Sequence, residues 1–204
     1  RRMDCPAELL LGDVTERAFA DQVIDKAVEM FGKVDVLVNS AGIIRRGDVV
    51  DTTDEDWRLT FAANVDGVFY FSRAAVKAMR KSGGGSIVNI ASNVGLVGCP
   101  GLAAYCASKG AVVLLTQAMA LDHAREQINI NAVCPGAVDT PMLVSAHTQP
   151  VTAEEVLQRN RDASPQGRVA TPKEVASLAF YLASDKARHI TGVAIPIDGG
   201  FTAG

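Results

Sequence analysis

The sequence predicts a parallel α/β sheet with helices packed on both faces. Three observations point there. Strand-like runs alternate with helical patterns five times along the 204 residues. The runs are short and continuously apolar, the pattern of strands covered on both sides. No internal repeat, low-complexity tract or linker interrupts the alternation, so residues 1–204 are expected to form one domain.

Residues 8–14 (ELLLGDV) are long enough for one buried strand. Thr15 is placed to cap a helix over residues 16–31, with Phe19, Val23, Ala27 and Met30 at helical spacing and Gly32 as its stop. Residues 34–39 (VDVLVN) are a β-branched strand, and S-A-G follows as a turn. Thr53 or Asp54 starts a long helix running through Trp57, Phe61, Val65, Val68 and Phe71 to about Arg80, where S-G-G-G breaks it. Residues 86–91 (SIVNIA) form the next strand. A glycine-bearing loop then leads into an apolar helix carrying Y-C-A-S-K at 105–109. Residues 128–133 (ININAV) are a strand ended by C-P-G, and a mixed polar segment spans 140–171. Pro172 opens a helix to Leu182, as proline does at a first turn, and residues 193–197 (VAIPI) are the last strand before D-G-G.

Composition excludes several function classes. The hydrophobic fraction of 48% supports a real core. The net charge of −3 offers no basic footprint, so no nucleic-acid partner is expected. The uncharged stretch 110–121 is broken by Thr116 and Gln117 and falls short of the ~20 apolar residues of a membrane span, so no membrane partner is expected either. No secretory signal pattern opens the sequence. Cys5, Cys99, Cys106 and Cys134 show no CxxC pairing and no histidine at metal-ligand spacing. They read as reduced thiols without a metal, which fits a cytoplasmic location.

Within that apolar helix, Tyr105 and Lys109 stand four residues apart. That spacing leaves ~40° of offset and ~6 Å of rise, so both lie on one face. Such a pair is often only a surface pair at a helix start. The alternative is chemical. A unit charge ~4 Å away is worth about 1 kcal/mol in water and about 4 kcal/mol at an effective dielectric near 20. In a sheltered cleft that would bring a phenol from ~10 toward neutrality. Burial opposes the shift, so a second positive charge, such as that of an oxidised nicotinamide, would help. A phenol tuned in this way exchanges a proton with an alcohol or carbonyl oxygen. The surroundings favour this second reading. Ser92 follows one strand and Asn39 ends another, while Pro135, Gly136 and then Thr140 follow a third. Carboxyl ends of strands line the ligand crevice in sheets of this class. Asn64 sits mid-helix, where a polar residue has no evident local reason.

These residues form an ordered set: D-V-T at 13–15, N-S-A-G at 39–42, N-V-x-G at 64–67, A-S at 91–92, Y-C-A-S-K at 105–109, P-G-A-V-D-T at 135–140 and I-D-G-G at 197–200. From about Leu10 to Gly200 the chain resembles the short-chain dehydrogenase/reductase family, of the single-domain type. The resemblance implies a Rossmann-like, doubly wound, three-layer fold. It implies an NAD- or NADP-dependent oxidoreductase interconverting a ketone and a secondary alcohol by hydride transfer. Tyr105 would be the general acid/base. Lys109 would lower its pKa and bind the nicotinamide ribose, and Ser92 would hold the substrate oxygen. Asn64 would position a water linking Lys109 to solvent. Asp13 and Val14 would meet the adenine, and Asn39 and Ala41 the adenosine ribose. Pro135, Gly136, Val138 and Thr140 would lie on the nicotinamide side. Structural roles stand beside these for three residues: Asn39 pinning strands, Asp13 capping a helix and Asn64 bridging.

The chain departs from the family pattern in two places. Ser40 replaces the usual second asparagine. More consequentially, the family's opening strand, its T-G-x-x-x-G-x-G phosphate turn and its second strand have no counterpart. G-G-G-S at 83–86 precedes a strand and so cannot replace a turn that must follow one. Without those strands, residues 8–14 would lack a pairing partner and VDVLVN would become a bare apolar edge. Roughly 40 to 50 upstream residues, somewhat more than one βαβ unit, are therefore expected in the native protein. The competing expectation is a non-catalytic or truncated member that no longer binds the dinucleotide.

The segment 140–171 is expected to be a substrate lid, with Met142 and Leu143 as apolar contacts. Val94, Leu96 and Cys99 would form the opposite wall. Such a pocket suits a small, mainly apolar ketone or secondary alcohol. No arginine is clearly placed to grip a carboxylate; Arg45, Arg159 and Arg168 are the candidates, and none is singled out. Helices near 54–80 and 103–123 are apolar on more than one face, which in the resembling family means a homotetramer, or a homodimer, paired across two-fold axes.

Overall fold

The computed structural model describes residues 7–145 and 151–204. Four parallel strands form one sheet in the order β1 (Val36–Asn39), β2 (Gly85–Ile90), β3 (Ile128–Pro135) and β4 (Ala194–Ile197). Val38 aligns with Val88, Val88 with Asn131 and Val133 with Ile195. The connecting helices are α1 (Arg17–Phe31), α2 (Asp54–Phe61), α3 (Gly67–Ser82), α4 (Ala103–His123), α5 (Pro141–Val144), α6 (Ala153–Ala163) and α7 (Pro172–Ala183).

Alternation along the strands sends side chains to two cores. Ile87, Ile128 and Ile130 pack against Ile24 of α1, Ala75 and Met79 of α3, and Met119 and Ala120 of α4. On the other face Val88 and Val133 pack against Ala179 and Leu182 of α7. The result is the three-layer, Rossmann-like α/β architecture, with every strand's carboxyl end directed to the same rim. α4 departs from the sequence expectation in one respect. Together with its short extension it covers Ala103–Glu126, long and apolar enough to cross a membrane by length and composition. Here it is a core helix, with Val112, Thr116, Met119 and Ala120 buried.

Residues 8–14 do not form the expected strand. They find no ladder partner among the described residues, and Leu9 and Leu11 are 80% and 87% exposed. β1 is accordingly an edge strand with Val36 41% and Val38 46% exposed, the bare apolar edge expected from the sequence. Thr15 does not cap α1 either. Its backbone N–H donates to the Asp13 carboxylate at 2.8 Å, and the helix starts after Glu16 without a side-chain cap. Gly32 ends α1 as expected, at φ 81°, donating its N–H to the Val28 carbonyl at 2.8 Å.

The single helix expected over 54–80 is interrupted by a π-helical turn, Ala62–Asp66, between α2 and α3. The apolar pattern runs on through this turn. The extra residue it accommodates lets Asn64 point fully buried into the protein. The segment 140–171 contains α5 and α6; α6 starts with a reciprocal Thr152–Glu155 capping box. Residues 146–150 of the expected lid, and Cys5, lie outside the described residues.

Candidate active site

Ser92 emerges from the end of β2 and leads into a short 3₁₀ turn, Asn93–Gly95. That turn presses directly on α4. A Cβ built on Gly95 would lie 2.7 Å from the carbonyl carbon of Lys109, so only glycine permits the approach. The contact sets Ser92 beside Tyr105 and Lys109, two and six residues into α4 from Ala103. All three line a cavity of about 1550 Å³ at the rim formed by the strands' carboxyl ends, and all three are less than 10% exposed.

The Lys109 ammonium donates to the Ile90 carbonyl at 2.9 Å and lies 5.8 Å from the Tyr105 ring centroid. The two side chains therefore share one face and one cleft. Gly42, in the turn after β1, closes the cluster from behind. A Cβ there would be 2.9 Å from Asn64 Oδ1 and 3.6 Å from Lys109 Nζ. Asn64 itself clamps that turn. It accepts from the Ile43 N–H at 2.8 Å and donates to the Ile43 carbonyl and to Ser108 Oγ, each at 3.0 Å.

Burial dominates the electrostatics. It brings Lys109 down from 10.5 to about 8. It raises Tyr105 above its ordinary value, against the opposing effects of the Ser92 hydroxyl and the Arg46 charge. In the chain alone the opposing effect of burial, expected from the sequence, prevails. The ammonium donates to the Ile90 carbonyl, burial brings its own pKa down to about 8, and desolvation of the phenolate prevails. With the chain alone, Tyr105 is a proton donor at neutral pH. Below Lys109, burial raises the Cys134 thiol to about 11, so it stays neutral.

Of the residues singled out from the sequence, Ser92, Val94, Cys99, Tyr105, Lys109, Pro135, Gly136, Val138, Thr140, Met142 and Leu143 line the cavity. Asp13, Val14, Asn39, Ala41, Asn64 and Leu96 do not. Asp13 is occupied by the Thr15 N–H, and Val14 lies against Gly67. The Asn39 amide donates to Asn89 Oδ1 at 2.8 Å and to Ser72 Oγ at 3.1 Å, pinning β1 to β2 and α3. Its side chain therefore faces the core and not a ribose. Ala41 is exposed outside the cavity. Sequence reasoning passed over Gly42, which the N-S-A-G motif contains, and Arg46, which the Arg45–Arg46 doublet gave no reason to prefer. Arg45 pairs outward with Asp56 at 3.1 Å, and Arg168 is held by Glu174 at 2.8 Å.

A family model described as enoyl-(acyl carrier protein) reductase matches residues 2–202. The meso-2,3-butanediol dehydrogenase of Serratia marcescens is 42% identical over 191 residues, covering 94% of this chain and 73% of that protein. The chain belongs to the short-chain dehydrogenase/reductase family. Solved structures agree. The ligand-free aldohexose dehydrogenase of Thermoplasma acidophilum superposes with a TM-score of 0.88 at 34% identity, over 96% of this chain and 78% of that one. ElxO with NADP bound gives 0.87 at 34% identity, over 95% and 77%. As a short-chain dehydrogenase/reductase the protein is an NAD- or NADP-dependent oxidoreductase acting on CH–OH groups.

The nicotinamide half of such a cofactor fits the residues present. The Lys109 ammonium has three N–H groups and makes one hydrogen bond to protein among the described residues, so it retains donors for a ribose. Tyr105, Val138 and Thr140 line the same cavity. For the pyrophosphate half, no T-G-x-x-x-G-x-G turn follows a strand among the described residues, and β1 borders the cavity through Val36 and Val38.

Proposed function

We propose that this protein interconverts a ketone and a secondary alcohol, with Tyr105 as general acid/base. The observation that carries the reading is the convergence of Ser92, Tyr105 and Lys109 on one cavity wall, with Asn64 bracing it from behind. A bound nicotinamide supplies or accepts the hydride. Ser92 holds the substrate oxygen by a hydrogen bond. Tyr105 donates its proton to that oxygen during reduction and recovers one during oxidation. Lys109 keeps a positive charge at the phenol's ring and offers its remaining N–H groups to the nicotinamide ribose. Asn64 acts through position, holding the Gly42–Ile43 turn that backs the lysine; the water it would order belongs to this same proposal. Pro135, Gly136, Val138 and Thr140 form the nicotinamide wall.

Segment 140–171 serves as the substrate lid, with Met142 and Leu143 over the cavity. Exposed apolar residues on the outer helices, Phe69, Leu114 and Leu121, support pairing of copies into a dimer or tetramer. The three described cysteines are free, which supports a reducing, cytoplasmic setting. The alternative, a member that no longer binds the dinucleotide, has behind it only that no phosphate turn is found among the described residues, whereas the relatives named as dehydrogenases support the catalytic reading.

The test is a panel of secondary alcohols and ketones assayed with NAD(H) and NADP(H) at the nicotinamide absorbance band. At least one alcohol/ketone pair should turn over. A protein that binds neither cofactor and turns over none of the panel would overturn the reading.

A further inference from the structure

Arg46 has no role in the mechanism above, yet the fold directs it into the cavity. The Gly47 N–H donates to the Gly101 carbonyl at 2.9 Å, and the Ala103 N–H donates to the Gly47 carbonyl at 3.1 Å. This bridge fixes the loop after β1 against the start of the helix that carries Tyr105. Consecutive side chains then leave on opposite sides. Arg45 goes out to Asp56, and Arg46 goes in to line the cavity with Ser92, Tyr105 and Leu143.

There the guanidinium is half-buried and poorly served. Its hydrogen bonds run to the carbonyls of Leu143 and Ser145, both at 3.4 Å, longer than the ~2.7–3.2 Å of a good N–H···O bond. Among the described residues it takes part in no ion pair. The other arginines of the cavity differ: Arg168 is satisfied by Glu174, and Arg159 is exposed on α6. Its neighbours in the cavity include the Cys99 and Tyr105 side chains, and burial works against its charge. A permanently charged planar fork, partly desolvated and without a counterion among the described residues, matches a carboxylate in geometry and in charge.

We propose that Arg46 binds a carboxylate of the substrate, so that the protein acts on a hydroxy acid and its oxo-acid counterpart in preference to an uncharged alcohol. This deepens the dehydrogenase reading above and rests on it. The reacting oxygen lies between Ser92 and Tyr105, and the carboxylate replaces the Leu143 and Ser145 carbonyls as the partner of Arg46. The lid end thereby senses the bound acid.

The test pairs short 2-, 3- and 4-hydroxy acids with their primary amides, which keep the shape and lose the charge. Wild type should prefer the acid of at least one pair, in kcat/KM, by roughly 10- to 100-fold, the worth of one charge-assisted contact. Arg46→Gln should collapse that preference, and Arg46→Lys should restore part of it. Equal use of acid and amide by wild type, or a preference that survives in Arg46→Gln, would overturn the proposal. If wild type turns over no alcohol at all, the dehydrogenase reading fails separately. Calorimetric titration with the same acids then still decides the role of Arg46. Acid binding that weakens in Arg46→Gln upholds it, and binding that is absent or unchanged refutes it.

Discussion

Replacing Lys109 by methionine should make the protein's stability respond to pH in a specific way. Lys109 is 6% exposed and its pKa falls from 10.5 to about 8 because burial disfavours the cation. At ~1.4 kcal/mol per pH unit, that drop means the buried charge costs about 3 kcal/mol. Between about 8 and 10.5 the unfolded chain binds a proton at this site that the folded chain has released. Stability therefore rises with pH across that window. Below about 8 the full penalty is present, and above 10.5 it is gone. Lys109→Met removes the titrating group and leaves all others. Loss of the bond to the Ile90 carbonyl offsets some of the gain, but that offset is not what the experiment reads. The quantity to follow is the difference in unfolding free energy between variant and wild type, from urea melts at several pH values. Relative to wild type, the variant should lose about 2 to 3 kcal/mol between pH 7 and pH 10. A difference that stays constant over that range would show that Lys109 is not desolvated, and the account of the cavity floor would fail with it.

Other substitutions test the same architecture. Gly95→Ala forces a methyl against the Lys109 backbone and should cost about 1–3 kcal/mol in stability, with activity falling as the Ser92 turn is pushed off α4; a melting temperature equal to wild type would refute the contact. Asn64→Ala strips partners from Ile43 and Ser108 and should destabilise by about 2 kcal/mol or more, measured by denaturant unfolding. Thr171→Ala breaks the capping box of α7; it should lose about 1 kcal/mol by the same measurement.

Much of this was visible in the linear sequence because periodicity is a local property. β2, β3 and α4 follow from predominantly apolar runs, and the Tyr105–Lys109 face follows from helical spacing alone. The failures have a common physical cause, dependence on a distant partner. Residues 8–14 have the composition of a strand, but a strand needs a neighbour to bond, and none is present among the described residues. The π turn at Asn64 leaves the apolar pattern intact, so only the bonds to Ile43 and Ser108 disclose it. Asn39 looked equally suited to a ribose and to a core, and Asn89 and Ser72 decided for the core. Arg45 and Arg46 are indistinguishable in sequence until the Gly47–Leu102 bridge fixes which one points inward. For Tyr105, four-residue spacing reveals the nearby charge, while the depth of burial that outweighs it in the chain alone is set by the Ser92 turn and the cavity wall.

Turnover by Tyr105→Phe bears most directly on the proposed chemistry. The substitution removes one hydroxyl and preserves the ring that packs beside Lys109. It should lower kcat by about 10²- to 10⁴-fold, the usual worth of a general acid, with NADH or NADPH affinity by fluorescence titration held within about threefold. A variant that turns over within threefold of wild type would contradict the assignment of proton transfer to Tyr105.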